Sequence, residues 1–195
     1  DMMNAAFAEA RMDCYYFPFS VPEEDFDDVV EAIKSLPFMG LTITMPYKVK
    51  ILRHLDEIDP LAKVIGAVNT VKLDRGRYIG CNTDGEGFVR GLEIDRGINV
   101  PDNIFFIVGA GGASKAITTI LASRRPQKIY LFNRTFEKAE AICTVVNESV
   151  YDCCEPIRLD GNFKKYINKS TVLVNTTNVG TNELEGQSPL DTSFL

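Results

Sequence analysis

"FFIVGAGGASKA", residues 105–116, decides the fold. A run of apolar residues without polar alternation reads as a strand covered on both faces, the habit of a parallel sheet. Glycines follow at once, and then a stretch of helix formers with small side chains. Gly109 permits a tight turn, and Gly111 lets the backbone approach a ligand closely. The new helix aims its unpaired N–H groups and positive dipole end at whatever the turn holds. A dinucleotide pyrophosphate suits that arrangement, so Gly109, Ala110, Gly111, Gly112 and Ala113 are the expected cradle. Ser114 stands where strict G-x-G-x-x-G spacing has its third glycine, yet Ala113, Ser114 and Ala116 are all small enough for helix and sheet to pack closely. A turn that merely needs positive φ is the plainer alternative, and the strand, turn and helix context weighs against it.

Outward from this stretch the pattern repeats. "KIYLF" (128–132) and "TVLVN" (171–175) are further short apolar strands, and "TFEKAEAICTVV" (135–146) is helical. Such alternation predicts an α/β, Rossmann-type doubly wound parallel sheet. At the end of its second strand, an NAD site carries an acid for the ribose 2′-hydroxyl, whereas an NADP site carries a basic group for the 2′-phosphate. Here the strand ends "LFNRT". Asn133 takes the place of the acid, Arg134 offers a planar fork for phosphate, and Thr135 adds a hydroxyl, so NADP is favoured. Glu137 is the nearest acid that would favour NAD, and it falls inside the following helix. The loop after "VLVN" contributes Asn175, Thr176 and Thr177 at another strand's carboxyl end, where such sheets bind ligands.

The first half reads differently. "MMNAAFAEA" (2–10) is helical and "CYYFPFSV" (14–21) an aromatic strand. Ser20, Pro22 and Glu23 then start a helix whose apolar face is Phe26, Val29, Val30 and Ile33. "GLTIT" (40–44) is a strand, a polar helix is expected over 47–62, and two strands pair as a hairpin through Asp74, Arg75 and Gly76. Thr83 and Glu86 form a capping box for a helix beginning near Asp84 and ending at Gly97. The expected domains are a substrate-binding unit over 1–86 and a nucleotide-binding unit over 87–195.

Of the 195 residues 45% are hydrophobic and 25% charged, which places the chain among globular proteins. A net charge of −6, with no clustered excess of Lys and Arg, argues against a nucleic-acid partner. No apolar stretch reaches the roughly 18 residues of a membrane span, and without a signal segment a cytoplasmic location is expected. Five cysteines without C-x-x-C or histidine clusters read as reduced thiols, with no metal site expected.

Three strand ends in the first half carry chemistry-bearing groups: Lys48 after "ITMPYK" (43–48), Asn69 in "GAVNT" and Asp84 in "CNTD". Reduction of a carbonyl needs a proton donor beside the oxygen that gains charge, and a lysine bonded to a carboxylate can supply it. Asn69 can orient a substrate hydroxyl as donor and acceptor. Each residue also has an ordinary reading, as surface charge, turn residue or helix cap.

Taken in order, "GLTITMPYK", "IGAVNT", "GCNTDGEGF", "VGAGGASKA", "NRTFEKA", "VNTT" with Gly180, and "SPLD" resemble the motifs of the shikimate dehydrogenase family, including its quinate/shikimate relatives. The resemblance begins at "MMNAAF" and runs almost from end to end. It implies reversible, NADP-dependent reduction of 3-dehydroshikimate to shikimate, a step of chorismate and aromatic amino acid biosynthesis, by a monomer or homodimer. The family's catalytic lysine and aspartate fall on Lys48 and Asp84, its substrate-binding asparagine on Asn69, and a substrate-contacting threonine on Thr44. Family segments expected before Asp1, with a serine-bearing carboxylate anchor, and after Leu195, with closing helices, are missing, so the chain resembles a fragment. Thr42, Asn178 and Thr181 depart from common family residues, and His54 matches no catalytic position. A quinate/shikimate dehydrogenase with broader substrate or NAD use, and a non-catalytic nucleotide-binding scaffold, are the rival readings.

Overall fold

A computed structural model describes residues 2–160, 163–181 and 184–191. By contact the chain divides into Asp1–Phe38 and Met39–Leu195. In the first unit, α1 (Met2–Glu9) and α2 (Phe26–Lys34) are helical. Helix α2 buries Phe26, Val30 and Ile33, three of the four residues of the apolar face read from the periodicity, while Val29 is only half-buried. Its N-cap is Asp25, several residues beyond the Ser20 signal.

The segment 14–21 is not a strand. A strand needs a neighbouring ladder, and Pro18 has no N–H to offer one. Instead the Asn4 side chain serves Tyr16, its Nδ2 donating to the Tyr16 carbonyl at 2.8 Å and its Oδ1 accepting from the Tyr16 N–H at 2.6 Å. Phe17, Phe19 and Phe38 form an aromatic cluster with centroids 5.1–6.4 Å apart.

The second unit begins with a mixed sheet of β1 (Gly40–Thr42), β2 (Glu57–Ile58), β3 (Thr70–Asp74) and β4 (Arg77–Cys81), ordered β1-β3-β4-β2. Strands β3 and β4 form the expected hairpin, pairing Asp74 with Arg77. The single helix expected over 47–62 is broken into a 3-10 segment, Lys50–His54, the short β2, and α3 (Pro60–Ile65). Asp59 is the reason: its carboxylate accepts from the N–H groups of Leu61 and Ala62 and Pro60 sits in the first turn, so a new helix starts there.

Helix α4 (Asp84–Arg96) leads into the second sheet, made of β5 (Ile104–Val108), β6 (Lys128–Phe132), β7 (Cys154–Ile157) and β8 (Val172–Asn175). All pairings are parallel, in the order β7-β6-β5-β8. The crossovers are α5 (Gly112–Ser123), α6 (Phe136–Ser149) and α7 (Phe163–Lys169). Strand residues alternate between two cores. Phe105, Ile107, Ile129 and Leu131 pack with α4, α5 and α6, while Phe106, Val108, Tyr130 and Phe132 pack with Phe163 and Leu190. Both faces are therefore covered, which explains why these strands are apolar throughout. The α/β class and the parallel nucleotide-type sheet agree with the sequence reading.

Candidate active site

Lys48 is held at both ends. Its carbonyl accepts from the Val68 N–H at 2.8 Å, and its Nζ donates to Asp84 Oδ2 at 2.6 Å. The chain reaches it through a turn in which the Tyr47 N–H donates to the Thr44 carbonyl at 2.9 Å, across a cis Met45–Pro46 peptide. Thr44, at the start of that turn, is exposed.

Asn69 ties the strands together. Its carbonyl accepts from Ile43 N–H at 2.7 Å, and its own N–H donates to the Cys81 carbonyl at 3.2 Å. The side chain is buried, 7% exposed, with Nδ2 donating to Asp84 Oδ1 at 2.7 Å and to Thr83 Oγ1 at 3.1 Å. Its Oδ1 accepts from the Thr83 N–H at 2.9 Å and the Thr70 hydroxyl at 3.0 Å. Asp84 thus has one carboxylate oxygen on Asn69 and the other on Lys48. The three residues named from the sequence form one connected network.

That network also explains why the Thr83–Glu86 capping box does not form. Thr83 is the N-cap of α4 but makes no side-chain cap bond, because its hydroxyl is drawn to Asn69 and Thr70. Asn82 intervenes instead, accepting from the Asp84 N–H at 3.1 Å and donating to the Ala67 carbonyl at 3.0 Å. Thr70, Asn82 and Thr83 were not singled out from the sequence for these roles. Their signal was the polar cluster of "NTV" and "CNTD", which has no helical or strand period.

The Lys48 and Asp84 side chains are 28% and 42% exposed. An ion pair so open contributes only about 0–1 kcal/mol of stability. Its value lies in position: Asp84 takes one of the three ammonium N–H bonds and leaves two without an acceptor among the described residues. Such a group can donate a proton to a ligand oxygen placed against it. Cys81 adjoins the network, and burial together with the Asp59 charge raises its pKa, so the thiol stays protonated and unsuited to nucleophilic attack.

Gly109 opens the cradle at φ +107, with its N–H donating to the Phe132 carbonyl at 2.8 Å. A Cβ there would lie 2.6 Å from Thr176 Oγ1, so the close approach itself demands glycine. Thr176 in turn donates to the Val108 carbonyl from its hydroxyl at 2.7 Å and from its N–H at 2.9 Å. Asn175 accepts from the Thr177 N–H and hydroxyl and donates to the Val179 carbonyl. The side chains of Asn175, Thr176 and Thr177 therefore shape this loop against the glycine turn.

Among the described residues, nothing beyond the adjacent chain lies within 4 Å of where a Cβ would stand on Gly111 or Gly112, and none caps the N-terminus of α5 with its side chain. Those open N–H groups and the helix dipole fit a pyrophosphate. Ala110 and Ala113 complete the turn. Lys115 follows in α5; its ammonium comes within 3.4 Å of a Cβ built on Gly66, and burial lowers its pKa.

Beyond β6, Asn133 Nδ2 donates to the Thr135 carbonyl at 2.8 Å, closing the loop that exposes Arg134. Thr135 is the N-cap of α6 and makes no side-chain cap bond. A phosphate there would meet a cation and uncapped N–H groups, so the residues fit NADP.

Comparison with known proteins identifies the family. Residues 1–71 match the shikimate dehydrogenase substrate binding domain, and residues 96–187 match shikimate / quinate 5-dehydrogenase. A shikimate dehydrogenase (NADP(+)) of Alkaliphilus oremlandii is 40% identical over 187 residues, 95% of this chain and 65% of that protein. The chain therefore spans about two thirds of such a relative's length. Shikimate 5-dehydrogenase from Listeria monocytogenes, solved with shikimate and NAD, superposes with a TM-score of 0.92 at 32% identity, covering 100% of this chain and 69% of that one. Quinate dehydrogenase from Corynebacterium glutamicum, in complex with NAD, gives a TM-score of 0.87 at 30% identity, covering 100% and 70%. With both of the family's domains matched in order along it, the chain belongs to the shikimate dehydrogenase family.

Proposed function

We propose that the full-length protein is an NADP-dependent shikimate dehydrogenase that reversibly reduces 3-dehydroshikimate to shikimate, serving chorismate and aromatic amino acid biosynthesis. Residues 1–86 would form its substrate-binding part and 87–195 its NADP-binding part, in a cytoplasmic monomer or homodimer. The observation that carries the reading is the Lys48–Asp84–Asn69 network, which has the hydrogen-bonding capacity that a ketone reduction requires.

Bound NADPH supplies the hydride. Lys48 donates a proton to the carbonyl oxygen as it gains charge, so one hydride and one proton convert ketone to alcohol. In the reverse direction the neutral amine accepts the hydroxyl proton. Asp84 fixes the direction of the Lys48 ammonium through their hydrogen bond, and Asn69 holds Asp84 in turn. Thr44 and Asn69 contact substrate hydroxyls at the same strand ends. Gly109, Ala110, Gly111, Gly112 and Ala113 hold the pyrophosphate, with Asn133, Arg134 and Thr135 at the adenosine end and Asn175, Thr176 and Thr177 shaping the nicotinamide side.

A second reading, a quinate/shikimate dehydrogenase able to use NAD, is favoured by the two structural neighbours solved with NAD. Initial rates on the full-length protein with shikimate or quinate, each paired with NADP+ or NAD+, decide between them. Fastest turnover with shikimate and NADP+ supports the first reading, and comparable quinate or NAD+ turnover supports the second. No turnover with NADP+ still bound leaves a non-catalytic nucleotide scaffold.

A further inference from the structure

The carboxyl end of β7 carries a cation that the proposed chemistry does not use. Arg158 directly follows β7, and the parallel register pairs Phe132 with Ile157, so Arg158 stands beside Asn133 at the mouth of the adenosine end. Its guanidinium carbon lies 3.5 Å from the centroid of the Phe136 ring, and Phe136 is the first residue of α6. Stacking at that distance orients the guanidinium plane while leaving its N–H fork available. Neither Arg134 nor Arg158 has an ion-pair partner among the described residues, and both are exposed. Two cations with no ion-pair partner among the described residues thus follow adjacent strands, flanking a helix start with no side-chain cap.

We infer that Arg158 is a second specificity-determining residue for the adenosine 2′-phosphate, gripping it together with Arg134 across the start of α6. The inference rests on the NADP reading above. A 2′-phosphate carries between one and two negative charges and three acceptor oxygens, which is more than one guanidinium satisfies. The ribose 2′-hydroxyl of NAD has no charge to reward a second arginine. Arg158 therefore acts on the choice between the two nucleotides, while Phe136 acts through Arg158 by setting its plane.

The test is calorimetric titration of the full-length protein with NADP+ and with NAD+, for wild type, Arg158→Gln and Arg158→Lys. Arg158→Gln is expected to weaken NADP+ about tenfold while leaving NAD+ within about twofold, the loss expected from one charge-assisted contact. Arg158→Lys restores part of the loss, since charge returns without the planar fork. Raising salt from 50 to 300 mM should weaken NADP+ binding less in Arg158→Gln than in wild type. Equal weakening of both nucleotides would mark a purely structural role and overturn the inference, as would unchanged binding of both. A wild type that binds NADP+ no more tightly than NAD+ overturns the NADP reading itself. A wild-type preference retained intact in Arg158→Gln overturns the inference alone.

Discussion

Gly85 touches the backbone of Ala116: a Cβ built on Gly85 would lie 2.5 Å from the Ala116 carbonyl oxygen and 2.7 Å from Ile120 Cγ1. This contact links the two halves of the proposed chemistry. Gly85 follows Asp84 at the start of α4, and Ala116 lies one turn into α5, the helix that begins at the glycine cradle. Packing α4 against α5 therefore sets the distance from the Lys48–Asp84 pair to the glycine turn at the start of α5. Gly85→Ala should lower unfolding stability by about 1–3 kcal/mol, the usual cost of overpacking against backbone. Urea unfolding measures it, and a change below about 0.5 kcal/mol would mean that the two helices separate easily.

Lys48→Ala removes the proposed proton donor without touching the proposed cradle. Turnover should fall about 10²–10⁴-fold, with NADP+ affinity nearly unchanged. Single-turnover rates and nucleotide titration separate the two effects. A large loss of NADP+ affinity would instead give Lys48 a cofactor or folding role. Asp84→Asn keeps the size but not the charge, so its loss should appear in kcat with little change in stability.

Asn69→Ala is expected to act on stability as well as rate. It strips partners from the Thr83 N–H, the Thr70 hydroxyl and Asp84 in a partly buried setting. The cost should be about 1–3 kcal/mol. Thermal and urea unfolding check it, and a stable but inactive variant would restrict Asn69 to substrate contact.

Alkaline pH should unfold the protein through its buried thiols. Burial pushes the Cys153 pKa from 9.0 up to about 12. The Cys154 pKa is raised mainly by its hydrogen bond with Cys143, whose sulfur lies 2.9 Å away, and further by burial. A pKa higher in the folded than in the unfolded state contributes stability that is complete below the unfolded value and is lost as pH rises toward the folded one. Unfolding free energy should therefore decline from about pH 9 toward about pH 12, and the decline should be shallower in Cys153→Ala. Equal slopes in wild type and variant would remove Cys153 as a cause.

Much of the fold was legible because it depends on neighbours in the chain. The apolar run from Phe105 to Val108, the small residues of α5 and the hairpin through Gly76 each declare their conformation locally. Segment 14–21 misled for the opposite reason: aromatic residues favour strands, but a strand exists only if another strand is beside it, and the Asn4 side chain took that place. Asp59 and Pro60 did signal a helix start, yet the polar periodicity around them concealed it.

Residue order alone determined which chemistries were available: a lysine, an aspartate and an asparagine at three strand ends, and a glycine turn ahead of a helix. Tertiary structure decided that Lys48 and Asn69 meet on opposite oxygens of Asp84, across separations of 36 and 15 residues. It also diverted Thr83 from capping its own helix and set Arg158 on the ring of Phe136. Hydrogen bonds and ring stacking act over a few ångströms, so only a chain already folded onto itself can choose these partners.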